Sequence, residues 1–525
     1  GVAATSQIAA SQAAVDILNR GGSATDAAIA ANAVLGVIEP MMNGIGGDLF
    51  VIYRDARTGE LSGLNASGPA PRNLSPEVLE ARGFTGMPEV GIHTVTIPGA
   101  VRGWEAMHQR FGKLAWSKLF DAAIGIAAEG FPVPEVVARL WSAPETIAKL
   151  NGSASAARTF LPDGRPPGLG EIFRNAELAN SYRAIAQDGA AAFYQGPLSL
   201  AILEASRSLD GTHTAEDLKN FEPEWITPIS TNYRGWEVFE LPPNGQGLAA
   251  LGMLNIMETF QPADDNPYDP AFIHARIEAM KLAYSDAYRY NADPRVVPVP
   301  FAELISKPYA RKRAAGISTT QANASVVAGV PTGSETVYFA VCDREGNLAS
   351  WIQSIFSSFG SGIAVNGFML QSRGAGFTLN RAHPNVLAGG KRPYHTIIPG
   401  FMQKGSRHMA FGIMGGANQP MAHAQFVSNV VDYGMNLQAA MEAPRFFKAS
   451  PTGNQVSMEC RMPQTTLSKL AELGHQVNER PEYAQEMGRG QAILFDTSTG
   501  LKHAASDPRA DGAAIPQFLS TDPGA

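Results

Sequence analysis

Glu335-Thr336-Val337-Tyr338-Phe339-Ala340-Val341-Cys342-Asp343-Arg344-Glu345-Gly346-Asn347 is the stretch that decides how this chain is read. Thr336 to Cys342 is β-branched and aromatic and reads as a strand, Asp343 to Asn347 as a hairpin turn, and Leu348 to Phe356 as the returning partner. The preceding Lys307 to Glu335 begins with charge and ends in small residues without a period, so its second half reads as an exposed linker. A threonine therefore stands first on a strand, directly after a linker. Its hydroxyl is a weak nucleophile that needs a base. The residue's own α-amino group, with a pKa of about 7.7 to 8.0, supplies one if the bond before it has been cut. Threonine also simply favours strands, so a structural and a nucleophilic Thr336 both stand at this point.

Outward from there, 525 residues give a prior of three or four domains, with a single large unit also compatible. Hydrophobic residues at 45% and charged residues at 17%, with 53 Gly and 36 Pro, describe a loop-rich globular chain. A net charge of -7 gives no footprint for nucleic acid or for a polybasic membrane contact. Two cysteines, Cys342 and Cys460, make neither a disulfide framework nor a four-thiolate metal site. With no basic-then-apolar leader and no spanning-length apolar run, the expected location is the cytoplasm, a leader trimmed before Gly1 being compatible with it. Helices are expected from about Ile8 to Leu18, capped by Thr5 or Ser6, from Ser23 or Thr25 to Ile38, and over 102–111, 116–129, 272–290 and 419–433. The second of these is Ala-rich on all sides and reads as buried. Strands are expected at 49–53, 394–402 and 409–413, the last leading into Gly415-Gly416.

The chain has no HExxH, CxxC, GxxxxGK[ST] or GxSxG, and Gly44-Ile45-Gly46-Gly47 lacks the third spaced glycine of a dinucleotide fingerprint. A different set of ordered matches runs through it. Ala4 to Pro40 carries ATS…AS…A…IL…GG…DAA…AA…LGV.EP, followed by Gly44-Ile45-Gly46-Gly47. Ile97 to Val101, His274 to Asp293, Thr336 seven residues before Asp343, Phe359-Gly360-Ser361-Gly362, Lys391-Arg392-Pro393, Gly415-Gly416, Asp432-Tyr433-Gly434 and Ala443-Pro444-Arg445-Phe446 follow in order. Over nearly the whole chain this resembles the γ-glutamyltransferase family of N-terminal-nucleophile (Ntn) hydrolases.

The resemblance implies an α+β fold, a four-layer αββα sandwich of the Ntn-hydrolase type, forming a single large domain from two fragments of one precursor. Cleavage between Glu335 and Thr336 would give a large subunit, 1–335, and a small subunit, 336–525, paired as a heterodimer. Thr336 is then the catalytic nucleophile, and Ser354 stands where the family hydrogen-bonds the nucleophile's hydroxyl. Gly415 and Gly416 stand where backbone N–H groups form the oxyanion hole. No cofactor and no metal are called for.

The chain departs from the pattern where the γ-glutamyl group would be held. Asn65 falls at the place of the arginine that takes the α-carboxylate, and Gly376 at that of the aspartate that takes the amino group. Losing two charge-assisted contacts costs about 3 to 6 kcal/mol, roughly 10² to 10⁴ in binding. New groups stand nearby. Arg373, in a glycine-lined stretch that gives it room, suits a carboxylate or a structural ion pair. His395 beside Thr396 suits a substrate contact or a satisfied core histidine, and Phe356 would shrink the pocket. The implied substrate is a small amide with one carboxylate, and within the family this resembles the oxamate amidohydrolase type, which takes oxamate to oxalate and ammonia. A γ-glutamyl hydrolase or transferase, and an unprocessed binding protein without activity, are the alternatives.

Overall fold

A computed structural model describes residues 1–263, 265–326 and 335–518, the Glu335 side chain excepted. The second half of the expected linker, 327–334, lies outside the described residues.

Two antiparallel sheets face each other. The first runs Ala513–Pro516, Val2–Thr5, Glu335–Cys342, Leu348–Phe356, Asp48–Arg54, Leu61–Ala66 and Glu224–Ile226. The second runs Lys502–Ser506, Arg489–Asp496, Arg407–Met414, Gly400–Lys404, Trp236–Glu240 and Ile229–Tyr233. Helices Ile8–Asn19 and Ala24–Ile38 pack on the outer face of the first sheet, and Gly247–Met257 and Gln419–Val431 on that of the second, with Pro270–Tyr290 against Gly247–Met257. The order of layers is αββα, the architecture in which each sheet buries both faces.

The expected hairpin forms, its first strand beginning one residue early at Glu335. Ala24–Ile38 is buried at every position, and its N-terminus carries a reciprocal cap: Ser23 Oγ accepts the Asp26 N–H while Asp26 accepts the Ser23 N–H. The first helix differs from expectation. It begins at Ile8 with Gln7 at the cap and no side-chain cap bond, because Thr5 belongs to an edge-paired strand. The stretch 116–129 is a 3₁₀ turn, Trp116–Leu119, followed by a helix, Asp121–Glu129. Residues 394–399 are irregular, since the Asn244 carbonyl and the Gln246, His395 and Gln419 side chains take hydrogen bonds that a strand neighbour would take; regular pairing begins at Gly400. No helix among the described residues is long and apolar enough to cross a membrane.

Candidate active site

The hairpin register places the polar groups. Pairing runs from Leu348↔Cys342 to Gln353↔Val337 and resumes at Phe356↔Glu335, so Ser354 and Ile355 together oppose Thr336 in a β-bulge. Bulges re-aim side chains at such places. On the other side Ser354 pairs with Asp48. Tyr338 Oη lies 2.9 Å from Ser350 Oγ, which donates to the Gly400 carbonyl of the second sheet at 2.8 Å. Side chains alternate along a strand, so Thr336 shares the face of Tyr338 and Ser354 that of Ser350. Thr336, Ser354 and Asp48 thus form a row across three strands, facing the space between the sheets. All three are fully buried, and Thr336 Oγ1 has no hydrogen-bond partner among the described residues.

Arg373 reaches this row from the 3₁₀ turn Arg373–Gly376. Its Nη2 donates to Ser354 Oγ at 3.2 Å and its Nη1 to Thr396 Oγ1 at 2.9 Å, while Nε lies 3.8 Å from Asp48 Oδ2. The Phe356 ring covers the guanidinium, 4.5 Å from Cζ to centroid. Ser354 Oγ also accepts the Phe356 N–H at 2.8 Å. Phe356 has φ of +81°, a left-handed value uncommon for a bulky residue and found where surroundings over-determine the backbone.

Asp48 accepts from Gln371 Nε2 at 3.0 Å and from the Gly68 N–H at 3.2 Å through Oδ1, and meets His395 Nε2 at 3.0 Å through Oδ2. Because His395 Nδ1 accepts the Ile397 N–H at 3.3 Å, Nε2 carries the proton and donates to Asp48. Burial, with the Arg373 and Arg392 charges, keeps His395 well below its ordinary pKa and neutral. Burial raises Asp48 to about 7 against the opposing pull of Arg373, and lowers Arg373 to about 9.

Gly415 and Gly416 follow Arg407–Met414 with φ of +146° and +61°, and neither N–H donates to a described group. Two backbone donors there can serve a developing oxyanion. Gln246 ties this turn to the rest by donating to the carbonyls of Thr396 at 2.5 Å and Gly416 at 2.9 Å.

The other anticipated residues fall as follows. Asn65 is enclosed: its Nδ2 donates to Asn244 Oδ1 at 2.9 Å and its Oδ1 accepts from Ser67 N and Oγ. Gly376 has no room for an acidic side chain, since a Cβ there would lie 2.8 Å from the Tyr394 carbonyl. The glycines beside Arg373 do not open space for it, contrary to expectation. A Cβ on Gly374 would meet the Thr94 carbonyl at 2.8 Å, so these glycines admit close backbone packing instead. A cleft of about 670 Å³ ends on Phe356 and Ser357, with Lys149, Phe377 and Leu379 in its walls.

Sequence reasoning missed Asp48, Gln371 and Gln246. The signal for Asp48 was an acid opening the otherwise apolar strand Asp48–Arg54, where all seven residues are buried and a charge requires a partner. Away from the row, His274, Glu278 and His475 bring ligand-type atoms within 4.8 Å of one another. Within that group His274 Nδ1 is 2.7 Å from His475 Nε2 and Glu278 pairs with Lys281 at 2.5 Å, while His475 Nδ1 has no hydrogen-bond partner among the described residues.

Residues 10–517 match the family model described as gamma-glutamyltranspeptidase. The chain is 34% identical over 513 residues to a glutathione hydrolase-like proenzyme of Bacillus subtilis, covering 96% of each chain. It is 32% identical over 527 residues to the oxamate amidohydrolase proenzyme of Klebsiella pneumoniae, covering 98% of each. Among solved structures it superposes on a cephalosporin acylase from Bacillus halodurans with a TM-score of 0.92 at 39% identity, covering 98% of this chain and 95% of that one. It also superposes on a γ-glutamyltranspeptidase from Helicobacter pylori with a TM-score of 0.57 at 29% identity, covering 63% and 93%.

Proposed function

Because the chain belongs to the γ-glutamyltranspeptidase family of Ntn hydrolases, whose members act on amide bonds, we propose that it is a self-processing amidohydrolase with Thr336 as nucleophile and a carboxylate-bearing amide as substrate. The observation that carries this reading is the buried row Thr336, Ser354 and Asp48 with Arg373 hydrogen-bonded into it.

In the uncut chain Thr336 Oγ attacks the Glu335 carbonyl carbon, and the peptide nitrogen leaves as the Thr336 amine. Water then hydrolyses the resulting ester, giving a Glu335 carboxylate and a free N-terminal threonine. In turnover that amine takes the proton from Oγ as it attacks the substrate amide carbon and passes it to the leaving nitrogen; water then attacks the acyl ester on Thr336, giving up a proton that returns to Oγ through the amine, and the acid is released. Ser354, with Oγ accepting from Arg373 and from the Phe356 N–H, acts as a donor in any further bond and is placed to orient the nucleophile. The Gly415 and Gly416 N–H groups stabilise the oxyanion, each such donor contributing about 2.7 to 4 kcal/mol. Arg373, held by Thr396 and Ser354, takes the substrate carboxylate, with Phe356 over its face. His395 holds Asp48, and Asn65 shapes the wall through Asn244.

Oxamate, with one carboxylate, fits Arg373 as its partner. A second reading follows from the cleft, whose volume of about 670 Å³ is that of pockets for drug-sized ligands. It favours an amide with a bulky acyl or leaving group on the far side of Phe356. A γ-glutamyl substrate is disfavoured by the enclosed Asn65 and the crowded Gly376.

The test is a substrate panel of oxamate, a bulky N-acyl amino acid and a γ-glutamyl anilide, read with wild type, Thr336→Ala and Arg373→Ala. Wild type is expected as two fragments that hydrolyse a carboxylate-bearing amide. Thr336→Ala is expected as one uncut, inactive chain, and Arg373→Ala as a cut enzyme with KM raised about 10-fold or more, the value of one charge-assisted contact. Two fragments from Thr336→Ala would remove the nucleophile assignment. Preference for the γ-glutamyl anilide would remove the substrate class.

A further inference from the structure

Asp48 is a buried carboxylate in the same row as Thr336, and no proton or bond of the acyl transfer passes through it. Four groups hold it: Gln371 and Gly68 on one oxygen, His395 on the other, and the Arg373 guanidinium beside it. Resting on the reading of Arg373 as the carboxylate-binding residue, we propose that Asp48 is a positioning residue that serves as Arg373's resident counter-charge and gives up that role by taking one proton from solvent when a substrate carboxylate arrives.

Before substrate binds, one guanidinium faces one carboxylate. A substrate carboxylate adds a second negative charge to a site whose members are all fully buried. Two carboxylates beside one buried cation cannot both stay ionised without a large desolvation cost, and neutralising one of them relieves it. His395 cannot take the proton while Nδ1 accepts from Ile397 and Nε2–H donates to Asp48. Asp48 can, because an acceptor stands ready. Gln371 Oε1 is buried without a hydrogen-bond partner among the described residues, while its Nε2 donates to Asp48 Oδ1 and to Thr96 Oγ1 at 2.9 Å. A half-turn of that amide presents Oε1 to a protonated Oδ1 and to the Thr96 hydroxyl. The other charged and titratable groups around the pair are Arg392, acting on His395, Tyr394, acting on Arg373, and Tyr194, which feels Asp48.

Below about 7, the value to which burial lifts Asp48, the carboxyl is already neutral and binding takes up no proton. Well above it, each pH unit weakens carboxylate binding about tenfold, so between pH 6 and 8.5 affinity falls about thirtyfold.

The probe is ¹³C-oxalate, titrated into the processed enzyme between pH 6 and 8.5, with difference infrared spectra at pH 8.5. The Thr336 amine titrates in the same range, so the pH slope is read together with the infrared band of a protonated carboxyl, which an amine cannot give. Wild type is expected to show both slope and band. Asp48→Asn is expected to lose the band and to bind oxalate at pH 8.5 about thirtyfold more tightly than wild type. Absence of the band from wild type overturns the proposal even if the variant fails to fold, and so does a band that persists in a folded Asp48→Asn. If Arg373→Ala binds oxalate as well as wild type, the carboxylate-clamp reading fails. If Arg373→Ala binds poorly and wild type shows no band, only the counter-charge role fails.

Discussion

Gly412 lies against the aromatic face of Tyr338, two residues along the strand from Thr336, and a Cβ at 412 would stand 2.4 Å from that ring. Neither partner can yield easily. Gly412 is in the middle of a strand paired to Gln491, and Tyr338 is tied through Ser350 to Gly400. Gly412→Ala is therefore expected to cost about 1 to 3 kcal/mol, the usual range for overpacking a close-packed interior. It is also expected to slow self-cleavage, because relief must come from the strand that carries Thr336. Denaturant unfolding of the uncut chain and the time course of fragment formation on a gel check this, and unchanged values for both would contradict it. The same scale shows what a linear reading can see. Thr336 stood out through the family resemblance, which sets a threonine seven residues before Asp343; its strand position alone fits a structural threonine equally well. Asp48 was not legible, because its meaning depends on Ser354, Gln371 and His395, which lie about 300 or more positions away in the chain and come together only through register and loop packing. Arg373 was legible as a charge out of place, whereas the glycines around it were misread as open space when they serve backbone contact.

Among the elements, the helix Ala24–Ile38 couples the outer layer to the first sheet, and its start rests on Asp26 more than on its capping serine. The Asp26 carboxylate accepts the N–H groups of Ser23, Lys113 and Leu114, whereas Ser23 Oγ accepts one, that of Asp26. Replacing a capping serine costs about 0.5 to 2 kcal/mol, while each buried donor left without a partner costs about 1 to 3 kcal/mol. Asp26→Ala is thus expected to destabilise the protein at least twice as much as Ser23→Ala in denaturant unfolding; equal effects would show that Lys113 and Leu114 find other acceptors. Helices of this kind were readable from caps and composition. The break at Phe120 was not, since periodicity runs on through it from Trp116. The chain turns there because the Phe120 ring is buried among Trp104, Trp116 and Tyr182, at centroid distances of 5.0 to 6.1 Å. The segment before Gly400 failed as a strand for a related reason: Gln246 takes the Thr396 carbonyl, Gln419 the Ile398 N–H and the segment's own His395 ring the Ile397 N–H, pairings that hydrophobic alternation cannot encode.

At the scale of the molecule, a cut between Glu335 and Thr336 would sever the chain without dividing the fold. In the first sheet, Val2–Thr5 lies between Ala513–Pro516 and Glu335–Cys342, so a strand of the first piece is hydrogen-bonded on both sides by strands of the second. Asp48–Arg54 pairs in turn with Leu348–Phe356, and in the second sheet Trp236–Glu240 pairs with Gly400–Lys404. Separating the pieces would open these ladders and expose the layer between the sheets, an apolar interior to which both contribute, from Ala4 and Ile52 to Ile352 and Phe401. Such a core is insensitive to ionic strength, because hydrophobic burial is not screened as exposed charge pairs are. The processed protein is therefore expected to elute as one species in low and in molar salt, and to lose both fragments' structure in a single denaturant transition. Chromatography with intact-mass detection, and unfolding followed separately by Trp351 in the small piece and Trp104 in the large one, are the measurements. Two resolved transitions, or release of either fragment by salt alone, would mean that the interleaved sheet does not hold the halves together.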